Sequence, residues 1–333
     1  MPKTYTLATK RVTAPSDVFP ARSILGICAL GFHTFLEGWW DKDIDVSMVN
    51  EDGQDLLSIA AKHGHRSLCS DLVNRGSDIN RTLESDWGSA LGEALVHEQA
   101  ETATFLLDQG FNPDIYMPPC GRSLLCFAVQ MAEWSIEMFL KAGADPNIQC
   151  QDCAYGCALE AASQGGMIDS AKTLIKYGAD VNLVQSTGKR FGSPLAAAAY
   201  GGSLECVKLL IKHGASVNAQ LKRGDYGSPL AAAASGPSLE CVKLLIEYGA
   251  DVNAQLNHGI YGSALGAALH GLPPSNEIIK YLVEEAGADA SILSSCLKLL
   301  GQLQSKHALP KARYLVEKGH IQASVLADLG LQV

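Results

Sequence analysis

One unit of about 35 residues is written seven times along this chain of 333 residues. The closest pair is Ser193–Leu221 and Ser228–Leu256, which agree at 24 of 29 positions. A period of this length predicts a solenoid, because a single helical unit cannot bury its own apolar face and neighbours must stack to do so. Glycines 76, 110, 143, 178, 214, 249 and 287 mark the copies, at spacings of 34, 33, 35, 36, 35 and 38.

Each unit reads as short helix, turn, longer helix, glycine stop and extended finger. The short helices are alanine-rich, as in SPLAAAAYG at 193 and SPLAAAASG at 228. Ser193 and Ser228 stand as N-caps, and Pro194 and Pro229 occupy the first helical position, where a missing N–H costs nothing. The longer helices carry aliphatic residues at i, i+3 and i+4, as in CVKLLIKH, which places Leu209 in an interface between units. The repeat glycine ends this helix in the left-handed conformation, and the Asp and Asn after it suit a tight turn. The fingers read as hairpins bending at or near Gly188, Gly224 and Gly259, each closed by an aromatic and a glycine at Tyr155, Phe191, Tyr226 and Tyr261. These rings either stack to stiffen the fingers or present edges to a partner.

This pattern resembles the ankyrin repeat, TPLHxAAxxGH followed by a helix and GADVN. The matching stretches are SPL at 193 and 228, AAKHGH at 60, and GADVN at 178 and 249. The resemblance implies an all-α repeat solenoid, an ankyrin-type stack of helix-turn-helix units with β-hairpin fingers. It covers about seven repeats across 51–290, between an N-terminal lead-in and degenerate capping repeat (1–50) and a C-terminal helical cap (291–333). Trp39 and Trp40 belong to the packing of the N-terminal cap in this reading. The family histidine after TPL is replaced by Ser58, Glu160, Ala196, Ala231 and Gly266, so these copies anchor their turns in another way.

The resemblance also implies a non-enzymatic interaction scaffold or adaptor that binds a partner along a concave groove and the finger tips. The groove stripe reads Lys62, Val129, Gln164, Tyr200, Ser235 and His270. Beside it on the fingers run Lys189, Arg190, Lys222, Arg223, Asp225 and His258, a basic patch in a chain of net charge −9. That patch suits an acidic or phosphorylated peptide bound in a salt-sensitive way. The net charge and the absence of any Lys/Arg run beyond two residues argue against a nucleic-acid footprint. No apolar run approaches the roughly 18 residues of a membrane span, and the polar start is unlike a signal peptide, so the expected compartment is cytoplasm or nucleus.

Nothing in the motifs assigns catalysis or a cofactor. There is no GxSxG, HExxH or phosphate-cradling loop. Cys150-x2-Cys153-x3-Cys157, with Cys120 and Cys126, is the one zinc-like spacing; free thiols in a fold that needs no metal are the expected state. Cys206 and Cys241 recur at one position of an aliphatic helix face and read as small core residues. The competing class is a small-molecule or enzymatic site built across the groove from Tyr200, His270 and His63, which would need a deep pocket with convergent polar groups.

Overall fold

The computed structural model describes residues 21–31, 44–83, 87–117, 121–151, 154–183, 190–271, 275–289 and 308–320. Lys189, Gly188, Cys120, Cys153, Trp39 and Trp40 lie outside them. The chain divides into two compact units, Met1–Asn112 and Pro113–Val333.

Unit 1 holds α1 (Ala21–Leu30), α2 (Leu56–Lys62), α3 (Arg66–Asn74), α4 (Ala90–Val96) and α5 (Ala100–Asp108). Short helix α2 packs between α1 and α4, and the longer α3 lies against α5. His65, at the N-cap position of α3, bonds the Ala29 carbonyl through Nε2 at 3.0 Å.

Unit 2 begins with β1 (Tyr116–Met117) and β2 (Arg122–Ser123), paired antiparallel. Pairs of short and longer helices follow: α6 (Leu124–Met131) and α7 (Ile136–Lys141), α8 (Ala158–Gln164) and α9 (Ile168–Lys176), α10 (Pro194–Gly201) and α11 (Leu204–Lys212). Then come α12 (Pro229–Ser235) and α13 (Leu239–Glu247), and α14 (Ala264–His270) with α15 (Ser275–Lys280), whose last turn widens to a π-turn over Tyr281–Glu285. A final helix, α16 (Ala308–Glu317), packs on α14. Among the described residues no helix is long and apolar enough to cross a membrane.

Local sequence explains this order. Ser193 and Ser228 accept the N–H groups of Ala196 and Ala231 at 3.2 and 3.1 Å, with proline at the first position of each helix. Alanines 196–199 are fully buried, and α10 packs against α8 on one side and α12 on the other. Side chains that end at Cβ allow this approach; longer ones would overpack the seam. All seven repeat glycines take positive φ, between 73° and 94°.

Two details depart from the sequence reading. In α11 the buried face is Cys206, Val207 and Leu210, while Leu209 is half-buried, so the helix is turned one position from the expected register. Only 116–123 forms a two-stranded hairpin among the described fingers. The fingers at 221–227 and 256–262 close with one backbone bond each, Leu221 N–H to the Gly227 carbonyl (2.9 Å) and Leu256 N–H to that of Gly262 (3.0 Å). Among the described residues, two further backbone bonds run sideways between neighbouring fingers. Asp225 N–H donates to the Arg190 carbonyl at 2.9 Å, and Ile260 N–H donates to the Asp225 carbonyl at 2.8 Å. The approach is close enough that a Cβ on Gly192, at φ 81°, would lie 2.3 Å from the Arg223 carbonyl oxygen.

The repeated asparagine does more than turn the chain. Asn147, Asn182, Asn218 and Asn253 each reach into the following repeat. Their Oδ1 atoms accept the N–H of Asp180, Ser216, Asp251 and Asp289 at 2.7–2.8 Å. Their Nδ2 atoms donate to the carbonyls of Gly178, Gly214, Gly249 and Gly287 at 2.8–3.1 Å. Each amide is thus a two-pronged clamp between repeats. A net gain of about 0.5–1.5 kcal/mol per bond, reduced by solvent competition, gives about 1–2 kcal/mol as the expected loss in Asn218→Ala, read from urea denaturation. An unchanged midpoint would mean that water replaces the clamp at no cost.

Candidate interaction surface

The finger rings and a residue in the last turn of each short helix form one structure. The helix residue follows its ring by nine positions: Tyr155 and Gln164, Phe191 and Tyr200, Tyr226 and Ser235, Tyr261 and His270. Tyr155 Oη donates to Gln164 Oε1 at 3.0 Å. Tyr200 sits between two rungs, with centroids 5.3 Å from both Phe191 and Tyr226. His270 lies 5.4 Å from Tyr261. Successive rungs stack at 6.1, 6.1 and 5.7 Å with planes 11–23° apart.

The rings therefore stack from finger to finger. Phe191 is fully buried and Tyr226 is 4% exposed, so the idea that all the ring edges face a partner is corrected for these two. Burial, with the neighbouring Tyr200 phenol second, pushes the Tyr226 hydroxyl well above the ordinary phenol range. Burial, with the Lys311 charge second, holds His270 below the ordinary imidazole range. Lys311 itself caps the C-terminal end of α14, donating to the carbonyls of Leu269 (3.1 Å) and Gly271 (2.6 Å).

Arg190 closes the ladder from outside. Its guanidinium lies 4.9 Å over the Tyr200 ring and 5.3 Å over Phe191, and Nη2 donates to Tyr200 Oη at 3.0 Å. The aromatic faces thus already hold a cation, one supplied by the chain itself. Lys222, Arg223 and His258 are exposed on the next two fingers, and Asp225 is half-buried beside Arg190. Burial raises the Asp225 carboxyl, against the opposing Arg190 charge.

The stripe needs three corrections, the first being that Ser235 is buried, at 7% exposure, and offers little to a partner. Val129 is buried, and the residue of α6 in the equivalent place, seven after the N-cap Ser123, is Gln130. Lys62 ends α2 and is half-buried in unit 1, and Val96 holds the same place on α4. Of the predicted residues, Gln164, Arg190, Tyr200, Lys222, Arg223, Asp225, Ser235, His258 and His270 all fall in unit 2.

Two small open depressions of about 250 and 180 Å³ recur one repeat apart, the first between Asn218, Leu230 and Leu256, the second between Asn182, Leu195 and Leu221. Cys126, Cys150 and Cys157 are buried thiols, with Cys150 Sγ 3.6 Å from Ser123 Oγ. Among the described residues no group of three or more His, Cys, Asp or Glu is placed to hold a metal. Cys206 and Cys241 are fully buried core residues whose thiols burial pushes up.

Three copies of a family model described as ankyrin repeats match residues 57–150, 158–256 and 195–294, well over half of the chain. The chain belongs to the ankyrin-repeat family. No curated protein matches it. Solved structures similar to it include a chain from the Bd0816 predatory endopeptidase from Bdellovibrio bacteriovorus in complex with immunity protein Bd3460, at 22% identity and TM-score 0.48, covering 58% of this chain and 99% of that one. The human ASB11 ankyrin repeat domain is another, at 21% identity and TM-score 0.40, covering 78% and 96%.

Ankyrin repeats generally mediate protein–protein interaction. Where this ankyrin chain lacks the family histidine, other contacts hold the turn. Glu160, fully buried, accepts the Gly156 N–H through Oε2. Gly266 lets the Tyr261 carbonyl descend to where a Cβ would be 2.2 Å away.

Proposed function

We propose that this chain is a non-enzymatic protein–protein interaction scaffold that docks an acidic protein segment on the finger tips and short-helix ends of unit 2. The observation that carries this reading is the fixed cation at Arg190 beside exposed Lys222 and Arg223, in a chain of net charge −9. A side chain already held in its binding geometry loses little rotamer entropy on association. An open surface of stacked fingers offers breadth and little depth, which favours a macromolecule over a metabolite.

The test is fluorescence anisotropy with a labelled decaglutamate peptide. Raising salt from about 0.1 to about 1 M shortens the screening length from about 10 to about 3 Å, and the expected result is a loss of at least about ten-fold in affinity. The pair Lys222→Glu and Arg223→Glu is expected to abolish binding at low salt. Affinity indifferent to both salt and charge reversal would remove the acidic-partner reading.

A further inference from the structure

We infer that the finger row reads a mixed motif, an acidic pair followed three or four residues later by an apolar side chain in an extended partner segment. This deepens the reading above and rests on it.

The row consists of the residues just before each ring: Arg190, Asp225 and Ile260. Backbone bonds from Asp225 to Arg190 and from Ile260 to Asp225 hold the three in line. Arg190 is exposed and pinned by Tyr200. At the other end Ile260 is 45% exposed and presents a large aliphatic side chain at the finger tip. The basic end is thickened by Lys222 and Arg223, both exposed, while Asp225 between the two ends is half-buried.

Spacing sets the motif. The rings next to the row, Phe191 to Tyr226 and Tyr226 to Tyr261, are 6.1 and 5.7 Å apart between centroids, so the row they carry advances about 12 Å over two rungs. An extended chain advances about 3.3 Å per residue, so a segment running along the row covers that distance in three or four residues. Tyr200 and Tyr226 both bond the Arg190 side chain, and a five-donor fork keeps further donors for a carboxylate. The apolar terminus at Ile260 distinguishes this row from a phosphate-backbone track, which would want cations throughout.

The experiment uses the full chain and four labelled synthetic peptides. The first is Gly-Ser-Glu-Glu-Ser-Gly-Leu-Ser-Gly. In the others, Leu becomes Ser, both Glu become Gln, or Leu moves to directly follow the acidic pair. We expect the first to bind at least about ten-fold more tightly than each of the others, a difference of about 1.4 kcal/mol. On Ile260→Ser its affinity should fall to that of the Leu-to-Ser peptide, and on Arg223→Ser all acidic peptides should weaken alike. Ile260 and Arg223 are exposed, so both variants keep the fold, and matching thermal melts check this. If the leucine and Ile260 have no effect while decaglutamate still binds, the motif is overturned and the acidic-partner reading stands. If no acidic peptide binds and Arg223→Ser changes nothing, both fall.

Discussion

Phe191→Ala is expected to destabilise unit 2 by about 3–5 kcal/mol, the range for truncating a fully buried aromatic ring. The ring is 0% exposed and is enclosed by Tyr155, Tyr200 and Tyr226, with the Arg190 guanidinium over one face. Neighbours on both sides belong to other repeats, whose backbones are clamped by the asparagine amides, so the walls have little freedom to close the cavity. Stacked and offset ring pairs add about 0.5–1.5 kcal/mol beyond area burial, and three are lost together. The substitution also removes one of the two rings beneath Arg190, so decaglutamate affinity should drop in the fraction that remains folded. Equilibrium urea denaturation followed by tyrosine fluorescence would read the stability. A loss under about 1 kcal/mol would show that the ladder is decoration on a stack held by its helices alone.

Leu210→Ala is the second large effect, at about 2–5 kcal/mol, with Leu209→Ala below about 1.5 kcal/mol in the same assay. The two residues are adjacent and chemically identical, so the difference measures placement alone. Leu210 is fully buried with Cys206 and Val207 on the face of α11 turned into the stack. Leu209 is half-buried and already solvated on one side in the folded state. Equal losses, or a larger one at Leu209, would refute the helix orientation described for α11.

Much of this architecture was legible because it recurs at fixed offsets. The repeat glycines, the capping serines and the ring positions are each marked by recurrence, and local physics assigns each of them one conformation. The contents of the stripe were legible to within one residue. One residue fewer separates Ser123 from Gly143 than Ser193 from Gly214, so counting back from the glycine lands on Val129 where counting forward from the cap lands on Gln130. The burial of Leu210 over Leu209 was missed because both fit an i, i+3, i+4 pattern when the phase is unset. The asparagine clamps were hidden for another reason. Their partners are backbone groups more than 30 residues away, and backbone leaves no mark in composition. Strict recurrence of Asn at 147, 182, 218 and 253 was the available signal, since a turn alone tolerates several residue types. The sideways pairing of the fingers was equally silent, because it is made by main-chain groups of Arg190, Asp225 and Ile260, whose side chains share nothing.

The clamp has a consequence for how such a chain lengthens. Each amide carries its own donor and acceptor, and what it grips in the next unit is a glycine carbonyl and one N–H that any non-proline residue supplies. A tandem duplication of the unit therefore arrives with a finished seam on both sides and needs no compensating change elsewhere. The near-identity of 193–221 and 228–256 is what such a copying step leaves behind when the joint tolerates it from the first generation. Growth by whole units, with later divergence confined to finger tips and helix ends, lets the molecule acquire new surface without renegotiating its core.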